Sequence, residues 1–276
     1  MTGQDLSEAT VATESEVTQR VWRRNWIGYS TIVRKEVRRF TRIWMQTIFP
    51  PVITTSLYFL IFGTLIGKRI GTMGGHSYMD YIVPGLILMA VITNSYANVS
   101  SSFYSTKFQR HIEEMLVAPI PNWVIVAGYV TGGVARGICV AVVVTAVALV
   151  FSDVSIKAPV LMMAVVVLTA ILFACGGFIN AMLARNFDDV SIVPTFILTP
   201  LTYLGGVFYS INLLPEPWHT ISFVNPVLYM VNAMRHAVLG ESDIPFTVAL
   251  TLIVMFICVF ATASLLLMKR GTGIKA

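Results

Sequence analysis

"STKFQRHIEEMLVAPIPNW", residues 105–123, carries Lys107, Arg110, His111, Glu113 and Glu114, and closes on two prolines, Pro119 and Pro121. On each side of it runs a stretch of roughly twenty residues with almost no charge, the length needed to cross a bilayer as a helix. A helix with this much charge cannot stay in hydrocarbon. The segment therefore reads as a short helix outside the membrane, stopped by its prolines, between two spans.

Apolar runs lie at 47–66, 82–104, 123–151, 159–183, 190–211 and 245–268, each long enough to span. Pro50, Pro51, Pro84, Pro194 and Pro200 fall near the span ends or within them, where membrane helices tolerate proline. The bulk composition agrees: 56% of the 276 residues are hydrophobic and only 12% charged, against about 25% in a soluble domain. Mean hydropathy is +0.75. The stretch "NLLPEPWHTISFVNPVLYMVNAMRHAVLG" (212–240) is too broken by prolines to span, and reads as two short helices dipping back from one side. The alternative, a seventh span, would put the termini on opposite sides.

Ahead of the first span, residues 1–19 are polar and lack the apolar core of a cleaved signal, so they read as a disordered tail. From Arg20, apolar residues recur at Trp22, Trp26, Tyr29, Val33, Val37, Phe40 and Trp44, with Arg23, Arg24, Arg34, Lys35, Arg38, Arg39 and Arg42 on the other faces. That pattern predicts an amphipathic helix over 20–46, lying in the headgroup plane. A net charge of +5 would otherwise suggest nucleic acid, but the basic residues lie beside apolar spans, so no nucleic-acid partner is expected. With six spans, fourteen Lys and Arg fall on the side of both termini and of 105–120, and four (Lys68, Arg69, Lys157, Arg235) on the other. The positive-inside rule makes the first side cytoplasmic.

No catalytic constellation is visible. "GTLIGKR" (63–69) has the wrong glycine spacing for a phosphate loop, and "HIEEM" lacks the second histidine of a zinc helix. Cys139, Cys175 and Cys258 sit in apolar runs and read as small core residues. Energy must then come from a partner or an ion gradient. Polar residues inside the spans say more. Asn94, Asn98 and Ser101 form a stripe in the second span, and Thr195, Thr199 and Thr202 one in the fifth. Such stripes face protein or water, as interhelical contacts or as a substrate path. Arg136 lies half-way along the third span among Gly128, Gly132, Gly133 and Gly137. It should point inward, as a structural clamp ahead of the alternative of substrate contact, toward carbonyls of broken helices, because no acidic residue lies within a span.

The order of these parts resembles the ABC type-2 permease family, the membrane halves of bacterial ATP-driven exporters, and in detail its YadH-like inner-membrane group. The resemblance rests on "RIWMQTIFPPVITTSLYFLIFGTLIG", "YIVPGLILMAVITNSYANVSSSF", "FDDVSIVPTFILTPLTYLGGVFYS" and the segment from Asn225 and Pro226 to Arg235, and covers about 20–270. It implies an all-α polytopic protein of the bacterial inner membrane with both termini cytoplasmic. Its parts would be a connecting helix at 20–46, a six-span domain over 47–270, a coupling helix at 105–120 and a re-entrant pair at 212–240. It also implies a homodimer among membrane lipids, bound to a separate ABC ATP-binding subunit. That subunit would hold ATP and magnesium, leaving this chain without cofactor or catalysis. Arg110, Glu113, Glu114 and Leu116 would meet the ATPase, and Asn94, Asn98, Thr195, Thr199 and Thr202 would line the path. Asn225, Pro226 and Arg235 would belong to an outer gate. The expected cargo is an amphipathic or lipid-like substrate. A lipid-modifying enzyme and a secondary transporter are the alternatives, both weakened by the missing intramembrane carboxylates.

Overall fold

The computed structural model describes residues 3–273, which are helical almost throughout. A chain this apolar must close its backbone hydrogen bonds within each segment, because hydrocarbon offers no partners. Helix α1 (Gly3–Arg42) leads into α2 (Trp44–Tyr58), which continues through a π-helical stretch (Phe59–Ile66) and a last turn (Gly67–Ile70). A two-residue hairpin, β1 (Thr72–Met73) with β2 (His76–Ser77), reverses the chain. Then follow α3 (Tyr78–Phe108), α4 (His111–Val117), α5 (Asn122–Phe151) and α6 (Pro159–Leu183). Helix α7 (Phe187–Val193) runs on through a π-helical stretch (Pro194–Leu198) and a turn (Thr199–Tyr203). Helices α8 (Trp218–Ser222), α9 (Pro226–Leu239) and α10 (Phe246–Arg270) complete the chain.

Among the described residues, five helices are long and apolar enough to cross a membrane: Trp44–Gly63, α3, α5, α6 and α10. The run expected at 190–211 is shorter. It occupies 187–203 and stops ahead of Gly205 and Gly206, the latter at φ +74, a left-handed conformation that ends helices. Its length is then about 25 Å, at 1.5 Å per residue. At the N-terminus, α1 reaches back over the polar stretch expected to be disordered. No proline interrupts 3–42, and adding residues to an existing helix avoids the cost of nucleation. Residues 1–2 of that tail, and Lys275 from the basic count, lie outside the described residues.

Helix α3 is the centre of the bundle, with α6 and α5 as its main neighbours. Lipid tails are as apolar as leucine, so burial alone does not hold such helices together; close fit does. On α5, the two overlapping glycine pairs serve two different partners. A Cβ at Gly132 would come within 2.5 Å of Glu36 Cβ, and one at Gly128 within 2.7 Å of Ile32 Cγ2, both on α1. Gly133 and Gly137 instead face α3 and α6, at Val99, Ser95, Ala174 and Ala170.

The ends of the bundle sort cleanly. Gly28 of α1 lies against Ile120, and Gly273 against Met182 at the end of α6. The Lys107 ammonium donates to the carbonyls of Ala181 (3.2 Å), Met182 (2.9 Å) and Ala184 (2.5 Å), closing the C-terminus of α6. At the opposite end, the Lys157 amide donates to Val238 (3.1 Å) and the Tyr78 hydroxyl to Phe208 (3.0 Å). The residues preceding α2 and those following α10 thus lie at the same end of the bundle as α4. Helix α9, at fourteen residues, is about 21 Å long and too short to cross.

Candidate functional site

Arg136 stands at the middle of α5, where small residues let α3 and α6 approach. A charge at this depth costs about 2.5–3.5 kcal/mol on insertion scales, so the surroundings must compensate. Arg136 Nη2 donates to Asn94 Oδ1 at 3.0 Å, and Asn94 Nδ2 donates to the Ala90 carbonyl at 3.0 Å, which fixes the amide oxygen toward the guanidinium. Sequence reasoning expected carbonyls of broken helices as the partner. The glycine contacts bring α3 close to α5, and Asn94 takes that place. Arg136 Nε is buried without a hydrogen-bond partner.

The pair opens onto a half-open cleft of about 500 Å³ between α2, α3, α5 and the continuation of α7. Thr54, Thr55 and Tyr58 line it from α2, Thr93 from α3 and Thr199 from beyond α7. The two sequence stripes divide here. Asn94 and Thr199 reach the cleft; Asn98, Thr195 and Thr202 are not among its lining residues. The three threonine hydroxyls bond back to their own helix, Thr195 to Ser191 (2.9 Å), Thr199 to Pro194 (3.0 Å) and Thr202 to Thr199 (2.8 Å). The five-residue reach from Thr199 matches the π-helical stretch it closes.

Asn98 belongs to a second polar knot, one that sequence reasoning missed. Glu36 of α1 is fully buried against α5. It accepts from Ser102 Oγ at 2.6 Å and from Arg39 Nη2 at 3.1 Å, with Lys35 Nζ at 3.9 Å. Arg39 Nη2 also donates to the Asn98 backbone and side-chain oxygens, each at 2.8 Å. Lys35 reaches on to Thr106 (3.3 Å) and Tyr129 (3.2 Å). Helix α1 is therefore not only an interfacial stripe. Ile32, Glu36 and Phe40 are buried in protein, while Trp22 and Trp26 are exposed. The available signal was that Glu36 is the one acid among the eight bases of 20–42.

At the end shared with α1, α4 projects from the bundle. Arg110, at φ +60, is the one non-glycine residue with positive φ among the described residues, and it makes the turn from α3 into α4. Ala118 is extended and Pro119 and Pro121 follow, so the helix stops after seven residues. A helix this short does not hold itself in water; Ile112 is its buried anchor. Arg110, Glu113, Glu114 and Leu116 are all exposed, and so is Val117, at 86%. The structure thus gathers the four expected contact residues on one exposed helix and its leading turn.

At the far end, Asn225 caps α9, accepting from the Val227 amide (2.9 Å) and donating to the Leu201 carbonyl (2.6 Å), while Pro226 takes the first helical position. Arg235 is buried. It donates to the Gly206 carbonyl (2.8 Å), lies 3.5 Å from Asp243 Oδ2 and sits over the Tyr81 ring at 3.9 Å. Asp243 also accepts from Ser210 Oγ at 2.9 Å, and its amide donates to Asn232 Oδ1 at 2.9 Å. These bonds hold the loop after α7 to α9.

A family model for the ABC-2 type transporter matches residues 28–239. The chain is 53% identical over 251 residues to the inner membrane transport permease YadH of Escherichia coli strain K12, which covers 91% of this chain and 98% of that protein. It is 22% identical over 251 residues to nodulation protein J of Rhizobium leguminosarum bv. viciae, over 91% of this chain and 93% of that one. Nodulation protein J of Sinorhizobium fredii is 24% identical over 222 residues, 80% of each chain.

Proposed function

The chain belongs to the ABC-2 type transporter family, as one of its transmembrane transporter subunits, and from that premise we propose that it is the permease of an ATP-driven exporter in a bacterial inner membrane. Two copies would pair, each carrying a separate ATP-binding subunit that holds ATP and magnesium, and this chain would supply no catalytic group. Both termini would face the cytoplasm, a reading that the basic asymmetry of the loops supports. The five membrane-length helices and the π-broken run at 187–203 would make six spans. Helices α8 and α9 would form a re-entrant pair, with Asn225, Pro226 and Arg235 holding an outer gate. The printed name of the Escherichia coli relative supports the location.

The observation that carries this reading is α4. A bundle that only conducts or modifies lipid has no use for a seven-residue helix held at its end by Ile112 and Met115 with its other side chains exposed. A soluble motor does: Glu113, Glu114, Leu116 and Val117 offer it charge and apolar surface on a single turn or two. Motion at that end can reach the cleft through α3, which runs without interruption from beside α4 to Asn94 and beyond. An amphipathic or lipid-like cargo fits the cleft, with hydroxyls and a guanidinium among apolar walls.

Gentle solubilisation of native membranes and affinity capture of the full-length chain tests the proposal. An ATP-binding protein carrying a phosphate loop should co-purify in a one-to-one ratio and hydrolyse ATP in the complex. Recovery of the chain with no nucleotide-binding protein, after cross-linking in the membrane before extraction, would refute it.

A further inference from the structure

We infer that the mid-depth cleft binds the acidic headgroup, phosphate or carboxylate, of an amphiphile, with Arg136 as its anion-binding residue. This rests on the permease reading and names the class of cargo.

The other buried or half-buried cations each have a carboxylate or a set of carbonyls close by. Arg39 has the Glu36 carboxylate at 3.1 Å, and Arg235 has Asp243 at 3.5 Å. Lys107 has three carbonyls at the negative end of α6. Arg39 and Arg235 also leave a buried Nε without an acceptor, but each has a carboxylate beside it; Arg136 has only a neutral amide oxygen, Asn94 Oδ1, and an unpartnered Nε of its own. Among the described residues, no carboxylate lines its cleft. A guanidinium has five donors in a planar fork and stays charged in proteins, so it demands acceptors. An incoming oxyanion would supply both the counter-charge and the missing acceptors, and two parallel bonds to the fork are the geometry such groups favour.

The cleft has the right surroundings for a headgroup. Its volume, about 500 Å³, falls in the range of small-molecule sites. A second, apolar groove adjoins it on the outer face of α2, sharing Gln46, Pro50 and Thr54 with the cleft and adding Met45, Phe49 and Ile53. A cleft with apolar walls around one cation that lacks a carboxylate, continuous with an apolar groove on an exposed face of α2, is matched by an acid with a hydrocarbon tail. A neutral lipid leaves Arg136 as it stands, and a free anion leaves the groove empty.

The test is direct binding to the full-length chain in a neutral maltoside detergent, read by native mass spectrometry. Dodecyl phosphate, dodecanol and inorganic phosphate are the probes. Dodecyl phosphate should bind at least tenfold more tightly than dodecanol. Arg136→Gln should erase that preference, and Arg136→Lys should retain part of it. Asn94→Asp, which sets a carboxylate beside an intact arginine, should weaken dodecyl phosphate tenfold or more without changing dodecanol, so the inference stays testable if Arg136→Gln does not fold. Equal binding of phosphate ester and alcohol to the natural chain, or a preference that survives both Arg136→Gln and Asn94→Asp, would overturn it. Displacement of dodecyl phosphate by equal inorganic phosphate would assign the site to a free anion and overturn the amphiphile. No ATPase is needed here. A failure of binding with ATPase capture intact would fall on the cargo class alone, and the reverse on the permease reading.

Discussion

Replacing Arg39 by alanine is expected to destabilise the chain by about 3 kcal/mol, the lower end of what removing one partner of a buried ion pair costs. The lower end applies because the Arg39 side chain keeps 29% of its exposure, while that of Glu36 has none. Without Arg39, the Glu36 carboxylate is left with Ser102 and with Lys35 at 3.9 Å, whose side chain is 44% exposed. Asn98 loses the donor shared by its two oxygens. Glu36→Gln should cost less, since the amide can still accept from Ser102 and Arg39 keeps both Asn98 oxygens. In the double variant Glu36→Gln, Arg39→Ala no buried charge remains unpaired, so its loss should be smaller than the sum of the single losses. Unfolding in mixed detergent, followed by tryptophan fluorescence, measures all three. Additive losses would mean that the two side chains do not act as a pair.

The larger effect is functional. Exchanging Glu113 and Glu114 together for lysine is expected to abolish productive contact with the ATP-binding subunit while leaving insertion and folding intact. Neither carboxylate has a salt-bridge partner among the described residues, and both are exposed, so the chain itself has little to lose. Truncating one side of a buried interfacial charge pair costs about 2–5 kcal/mol, and a reversed charge adds repulsion. That range corresponds to a fall in affinity of about 30-fold to several thousand-fold. Ile112 remains in place as the anchor, so the melting temperature should stay within a degree or two of the natural chain. Pull-down of the ATP-binding subunit and its hydrolysis rate are the readouts. Unchanged capture and unchanged hydrolysis would make Glu113 and Glu114 a solvated face and nothing more.

How much was legible beforehand follows from where the deciding forces act. The α6 span was readable to the residue, because Pro159 marks its first position and its apolar run is unbroken to Leu183. The run from 190 was read too long. Gly205 and Gly206 interrupt a stretch whose hydropathy hardly changes, and only the backbone conformation of Gly206 reveals the stop. Asn94 and Arg136 were both singled out as polar residues within spans, yet nothing in their spacing pairs two residues on separate helices. The glycines that bring those helices together were visible; which neighbour each would face was not. Glu36 was lost for a similar reason. An acid among eight bases reads as part of a solvated face, and its burial depends on Gly132 of a helix nearly a hundred residues away. Lys107 was counted as loop charge, but its ammonium closes the end of α6. Sequence periodicity reports which faces are apolar; the partner that each polar group finds is a property of the packed bundle.

On this reading, an ATP-binding subunit grips this permease at its α4 end. A photoreactive amino acid placed at Val117, the most exposed apolar side chain of α4, tests it in intact membranes, with the same probe at Glu241 on the opposite end as the control. An ultraviolet-dependent adduct is expected between position 117 and the ATP-binding subunit, and none from position 241. An adduct from 241, or none from 117 in membranes from which the two proteins co-purify, would contradict it.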